Sequence, residues 1–340
     1  MITGDKLENL KRVTKQMVAP GKGILAADES MGTIEKKFSK IGVQSTEATR
    51  REYRELFFTS EGIGGYISGV ILFDETIRQS ASDGRTFVSI LEGSGVLPGI
   101  KVDQGVKEME GSPNEKITKG LEGLSGRLKE YSGLGAKFAK RRTVITIGDG
   151  IPTDANIRQQ SKDLADYALV CQEAGIVPIV EPEVLMDGGH DINRCAEVSE
   201  KVLTTLFAEL KQAGVAIEGI ILKTNMVIPG KENSKATPEE VALRTVNLFR
   251  RILPDELPGE AFLSGGQSEI EATENLNAIN KMGPHPWNFT FSYGRALQDS
   301  ALKTWNGKTE NLPAARMAFL HRAKMNSLAT LGKYEKSLEQ

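Results

Sequence analysis

The side chains best suited to chemistry in this sequence stand where apolar runs end. Lys223 closes the run Ile217-Glu218-Gly219-Ile220-Ile221-Leu222-Lys223 and is followed by Thr224-Asn225 and then by Pro229-Gly230. A short β-branched run stopped by Asn and Pro-Gly reads as a buried strand meeting a loop. An ammonium there is costly to bury, so it must be paired or partly neutral. A lysine with a lowered pKa is the nucleophile of Schiff-base enzymes. The plain alternative is a lysine that snorkels from the strand end to solvent.

Other charges fall in the same kind of place. Glu181 and Glu183, Lys140 and Arg142, and Lys101 and Asp103 are each two residues apart, so each pair shares one face of a strand. Asp28 follows Ala26-Ala27 and precedes Glu29-Ser30. Taken singly, each pair is explained by an ordinary ion network. Taken together at strand ends the structural explanation weakens, because several buried salt bridges would each cost desolvation for little gain.

Two glycine-bearing loops, Leu263-Ser264-Gly265-Gly266 and Ser292-Tyr293-Gly294-Arg295, also follow apolar runs. Backbone amides in such loops bind phosphate, and Arg295 adds a fork of donors. Lys101 with Lys36 and Lys37, downstream of Ser30, forms a second cation group. Two anion sites flanking a nucleophilic lysine fit a substrate with a phosphate at each end. Carbon–carbon cleavage through an iminium electron sink suits that layout.

The elements that must position these groups alternate along the chain. Strands are predicted at Gly23 to Asp28, Tyr66 to Phe73, Gly99 to Asp103, Phe138 to Ile147, Ile176 to Glu183, Ile217 to Lys223, Ala261 to Gly265 and Phe289 to Gly294. Helical spacing lies between them, as in Asp163 to Ala174, Ile192 to Ala213 and Pro238 to Leu253, and again at Leu312 to Leu331. Eight β/α units without a low-complexity linker predict an α/β fold, a closed (β/α)8 TIM barrel forming one catalytic domain over residues 1–340. Two open-sheet domains are the alternative. In a barrel, the carboxyl ends of the strands converge on one site, with phosphate commonly bound after strands seven and eight. Tyr334 to Gln340 reads as a polar end with no role.

Bulk properties narrow the partners. The 340 residues are 39% apolar and 26% charged, with a formal net charge of −2. That balance gives no reason to expect nucleic acid or an anionic membrane as partner. Cys171 and Cys195 are too few for a disulfide framework, which points to a reducing cytoplasm. His190, His285 and His321 share no register that suggests a metal site, and no cofactor is expected. The stretch Met1 to Leu7 lacks the apolar core of a signal peptide.

The chain resembles class I fructose-1,6-bisphosphate aldolases from about residue 8 to Lys333. The resemblance rests on GKGILAADES at 21–30, SGVILFDET at 68–76, GIKVD at 99–103, FAK at 138–140, IVPIVEPE at 176–183, ILKTNMVIPG at 221–230, FLSGGQSE at 262–269 and FSYGRALQ at 291–298. It implies that Lys223 forms the Schiff base with the substrate ketone, and that Lys140 lowers its pKa and contacts substrate hydroxyls. Glu181 would shuttle protons with Glu183 beside it, and Asp28 would act at the C4 hydroxyl. Ser264, Gly265, Gly294 and Arg295 resemble the site for the ketone-side phosphate, Lys101, Ser30 and Thr33 that for the distal one, and Arg142 a further substrate contact. The implied products are dihydroxyacetone phosphate and glyceraldehyde 3-phosphate, in glycolysis or gluconeogenesis. A homo-oligomer, commonly a tetramer in the family, is implied as well.

The sequence departs from the animal pattern in several places. Arg141 stands where tryptophan usually follows the active-site lysine, a change expected to alter the pocket wall or oligomer packing. Met31 replaces a hydroxyl residue, Thr33 replaces a serine, and Gln104 stands where lysine is common. No tyrosine-ending tail is present, the last tyrosine being Tyr334, so another group is expected to exchange protons at the dihydroxyacetone phosphate carbon, or exchange to run slowly. Sedoheptulose 1,7-bisphosphate and fructose 1-phosphate share the ketone end and stay open as substrates. A scaffold without activity and a metal-dependent isomerase are the rivals from other classes.

Overall fold

Each apolar run becomes a strand. In the computed structural model, which describes residues 4–340, the strands, eight from those runs and two more, are β1 (Gly23–Ala27), β2 (Ile67–Leu72), β3 (Leu97–Lys101), β4 (Val106–Met109), β5 (Ser112–Thr118), β6 (Phe138–Ile145), β7 (Val177–Val184), β8 (Ile221–Leu222), β9 (Gly259–Phe262) and β10 (Asn288–Tyr293). Residues 1–3, part of the stretch read above for a signal core, lie outside the described residues. Parallel pairing runs β1-β2-β3-β6-β7-β8-β9-β10 and closes with β10 beside β1. The fold is therefore a closed eight-stranded parallel barrel ringed by helices, and the alternative of two open sheets is excluded.

The barrel interior is apolar at the amino ends of its strands. Ile24, Ile71, Leu97, Phe138, Val177 and Ile221 pack there with Leu10, Val13 and Met17 of the helix Asp5–Met17. Burying each large side chain of this kind contributes roughly 1.5–3 kcal/mol. Phe138 fills its layer only because its neighbours are glycine: a β-carbon on Gly99 would stand 2.2 Å from the ring, and one on Gly69 2.9 Å. A second, larger apolar layer joins the outer face of the barrel to the helices. With the floor sealed by hydrophobic packing, the charged residues are left at the opposite mouth.

Helix boundaries follow their caps. Thr237 accepts the N–H of Glu240 to open Pro238–Ile252, and Asp191 accepts that of Arg194 to open Ile192–Ala213. Gly214, with φ 76°, ends the latter in the left-handed conformation that suits glycine. The helix expected from Asp163 begins at Asp154 instead, capped by Thr153. Its first turns are polar, so apolar spacing did not reveal them. The C-terminal helix runs Leu312–Thr330.

Three strands differ from expectation. β8 is only Ile221–Leu222, because Ile217–Gly219 forms a 3-10 turn, although the N–H of Lys223 still donates to the Val180 carbonyl at 2.9 Å. β3 starts earlier, at Leu97, and stops at Lys101, two residues before Asp103. β9 includes Glu260, whose charge hid the start of that strand. The antiparallel hairpin of β4 and β5 was not expected; its side chains are mostly exposed and polar, without a hydrophobic stripe.

The final segment also differs from expectation. The Tyr334 hydroxyl is buried and donates to Glu339 at 3.0 Å, while Glu339 pairs with Arg322 and His321 of the C-terminal helix. The polar end thus fastens itself to the barrel's outer layer.

Candidate active site

Register brings the charges together. Lys101 on β3 sits beside Lys140 on β6, and Arg142 sits beside Glu181 on β7. Lys223 follows β8, the next strand around, and Asp28 follows β1 on the far side of the mouth. The side chains meet in the middle. Lys140 Nζ lies 2.7 Å from Asp28, 3.4 Å from Glu181 Oε2 and 3.8 Å from Asp103. Lys223 Nζ lies 3.1 Å from Glu181 Oε1, and Lys101 Nζ 2.9 Å from Asp103.

Both Lys223 and Lys140 are buried, which removes the snorkelling alternative for Lys223. Burial alone would push the Asp28 carboxyl up. Lys140, Lys223 and Lys101 overcome it and hold Asp28 at about 2. Asp103 is likewise held below the usual carboxylate range by Lys140 and Lys101, against its burial. Burial favours the neutral form of Lys140, but Asp28, Glu181 and Asp103 outweigh it and raise its pKa well above the usual lysine value. Lys140 is therefore a fixed cation. Glu181 Oε2 is buried with no well-formed hydrogen bond, although it stands 3.4 Å from Lys140 Nζ.

These groups open onto a cavity of about 750 Å³. Asp28, Ser30, Thr33, Lys101, Lys140, Arg142, Glu181, Lys223, Gly294 and Arg295 all line it. Gly294 precedes the helix Arg295–Trp305, whose first amides have no partner within the helix. Ser30 likewise precedes the helix Met31–Ser39 and is 3.1 Å from the Thr33 hydroxyl. The two helix N-termini thus stand at the cavity edge, each suited to an anion.

Some expected residues lie off the cavity. Glu183, Ser264 and Gly265 do not line it. Glu183 pairs with Arg142, and a β-carbon on Gly265 would stand 3.1 Å from Glu183 Oε1. Lys37, read as part of an anion site, is held by Glu29 at 2.6 Å and Gln298 at 2.8 Å although it borders the cavity. Lys40, Asp299 and Lys303 were missed. Asp299 and Lys303 fall on the same helical face as Arg295, at i+4 and i+8, so helical spacing would have found them.

Arg141 does not form the pocket wall. Its guanidinium is buried behind the barrel and donates to the carbonyls of Lys119 at 2.9 Å and Thr118 at 2.7 Å. It thereby fastens the end of the β4–β5 hairpin, whose Val106 and Thr118 do line the cavity. Met31 lies exposed at the start of its helix.

Comparison with known proteins agrees with this geometry. Residues 9–340 match the family model "Glycolytic: Fructose-bisphosphate aldolase class-I". The chain belongs to the class-I fructose-bisphosphate aldolase family. It is 52% identical over 332 residues to the cytosolic fructose-bisphosphate aldolase 5 of Arabidopsis thaliana, covering 97% of this chain and 93% of that one. It is 53% identical over 320 residues to the cytoplasmic isozyme of Spinacia oleracea, covering 94% and 90%. A solved structure of the Plasmodium falciparum aldolase, in complex with TRAP and a small-molecule inhibitor, superposes with a TM-score of 0.97 at 50% identity. The superposition covers 98% of this chain and 97% of that one. The enzyme is thus a lyase of the class that uses no metal, and no described helix is long and apolar enough to cross a membrane.

Proposed function

We propose that this aldolase cleaves fructose 1,6-bisphosphate to dihydroxyacetone phosphate and glyceraldehyde 3-phosphate through an imine on Lys223, in glycolysis and gluconeogenesis. The observation that carries the reading is Glu181 lying between two buried lysines, 3.1 Å from Lys223 and 3.4 Å from Lys140. The neutral Lys223 amine attacks the C2 ketone, and Glu181 supplies and removes the protons that turn the carbinolamine into an iminium and water. Lys140 stays charged and faces the substrate hydroxyls. Asp28 takes the C4 hydroxyl proton. The C3–C4 electron pair then moves into the iminium, the aldehyde leaves and an enamine remains. Protonation at C3 and hydrolysis release dihydroxyacetone phosphate and restore the amine.

The phosphates are assigned to the two ends of the cavity. Gly294 and Arg295 suit the ketone-side phosphate; Ser264 and Gly265, off the cavity edge, are assigned to the same phosphate by family resemblance alone. Lys101, Ser30 and Thr33 suit the distal one, and Arg142 orients substrate while holding Glu183. The chain acts as one catalytic domain in the cytosol, as the names of its cytosolic relatives support, and assembles as a homo-oligomer, a tetramer by family resemblance. Light scattering of the purified protein gives the assembly directly.

The test is borohydride reduction with dihydroxyacetone phosphate, followed by peptide mass mapping. The expected result is an adduct on Lys223 with loss of activity, unaffected by EDTA. An adduct on Lys140 alone, or none, would sink the mechanism.

A further inference from the structure

Glu260 lies within β9 between residues of the barrel core and is completely buried. Its Cα stands beside Leu222, the residue before Lys223, and this is the register pair that joins β8 to β9. Beyond that pair the ladder is interrupted. The N–H of Thr224 donates to Glu260 Oε1 at 2.6 Å, and only afterwards does the Leu263 N–H donate to the Thr224 carbonyl at 3.0 Å. The residue that follows Lys223 is therefore held by a side chain where a continuous sheet would use a backbone carbonyl.

The second oxygen, Oε2, is buried with no hydrogen-bond partner among the described residues. An ionised carboxylate with a bare oxygen is expensive in such a place. Burial pushes Glu260 up to about 8 against the pull of the Thr224 N–H and the charge of Lys223, with Glu181 adding to the rise. Burial thus favours the neutral acid of Glu260 over its carboxylate.

We propose that Glu260 is a positioning residue for Lys223: it fixes the backbone at Lys223–Thr224 without adding a second negative charge beside Glu181. The charge matters because an ionised carboxylate near Lys223 would stabilise the ammonium, and an ammonium cannot attack a ketone. The charges that act on Glu260 are those of Lys223, just after β8, and Glu181 of β7. The inference rests on the reading of Lys223 as the imine-forming lysine.

The experiment compares wild type, Glu260→Gln and Glu260→Ala. It measures the initial rate of borohydride-trapped adduct with dihydroxyacetone phosphate from pH 6 to 9.5, and kcat and KM on fructose 1,6-bisphosphate. At pH 7 the Gln variant should lie within about twofold of wild type, because its amide oxygen still accepts the Thr224 N–H. The Ala variant should lose about tenfold in kcat with KM little changed, the cost of one buried amide left unpaired. Between pH 7 and 9.5 the wild-type rate should fall severalfold relative to Glu260→Gln, as only the wild type ionises there. Wild-type rates in the Ala variant, or a wild-type to Gln ratio that does not change with pH, would overturn the inference. Should Ala fail to fold, the Gln ratio decides alone. Peptide mapping separates the two failures: an adduct off Lys223 refutes the underlying reading, whereas an adduct on Lys223 with unchanged rates refutes only the role of Glu260.

Discussion

Lys140 and Lys223 share one carboxylate: Glu181 presents Oε2 to Lys140 at 3.4 Å and Oε1 to Lys223 at 3.1 Å. The two lysine nitrogens thus stand against one carboxyl, which in the proposed mechanism passes a proton to the Lys223 side without moving far. Glu181→Gln keeps the shape but removes the proton shuttle. It should lower kcat by about 10²–10⁴ with a smaller effect on KM. Steady-state kinetics on fructose 1,6-bisphosphate check this; a loss confined to KM would assign Glu181 to binding instead.

In the proposed mechanism Asp28 acts in cleavage and not in imine formation. Its carboxyl is held at about 2, so it is ionised at any working pH, the form the proposed proton transfer from the C4 hydroxyl requires. Asp28→Asn should still trap dihydroxyacetone phosphate on Lys223, which needs no C4 chemistry. Cleavage of fructose 1,6-bisphosphate should slow by about 10² or more. If trapping is lost in parallel with cleavage, Asp28 acts on Lys223 and not on the C4 hydroxyl.

Much of this site was legible in the sequence because side chains alternate along a strand with period two. Lys101 with Asp103 and Lys140 with Arg142 could be placed on common faces from spacing alone, and parallel strands bring such pairs to one mouth. What spacing could not show is where each loop goes after its strand. Ser264 and Gly265 lie beyond β9, off the cavity, where a β-carbon on Gly265 would stand 3.1 Å from Glu183 Oε1. The β4–β5 hairpin was invisible because its residues face solvent. Arg141 was expected to alter the pocket wall or oligomer packing, but adjacent strand residues point to opposite faces, so it belongs to the layer behind the barrel and not to the pocket wall.

Gly99 should tolerate no side chain. A methyl there would stand 2.2 Å from the Phe138 ring, which is itself fully buried, so ring and strand must shift together. Gly99→Ala should cost about 1–3 kcal/mol of stability by overpacking. Chemical denaturation measures it. The double variant Gly99→Ala/Phe138→Leu should recover part of the loss, and no recovery would mean that the strand backbone, not the ring, carries the strain.

Glu260 also makes stability depend on pH, in the direction opposite to most carboxyls. Its folded pKa, about 8, lies above the ordinary glutamate value of 4.5, so between those values the folded state keeps a proton that the unfolded state has released. With more protons bound in the folded state, stability falls as pH rises, by up to about 1.4 kcal/mol per pH unit over that window, and flattens above it. Glu260→Gln cannot ionise and removes this slope. Its melting temperature should therefore exceed that of wild type at pH 8.5 by more than it does at pH 5. Parallel curves for the two proteins across that range would mean that Glu260 ionises normally in the folded enzyme.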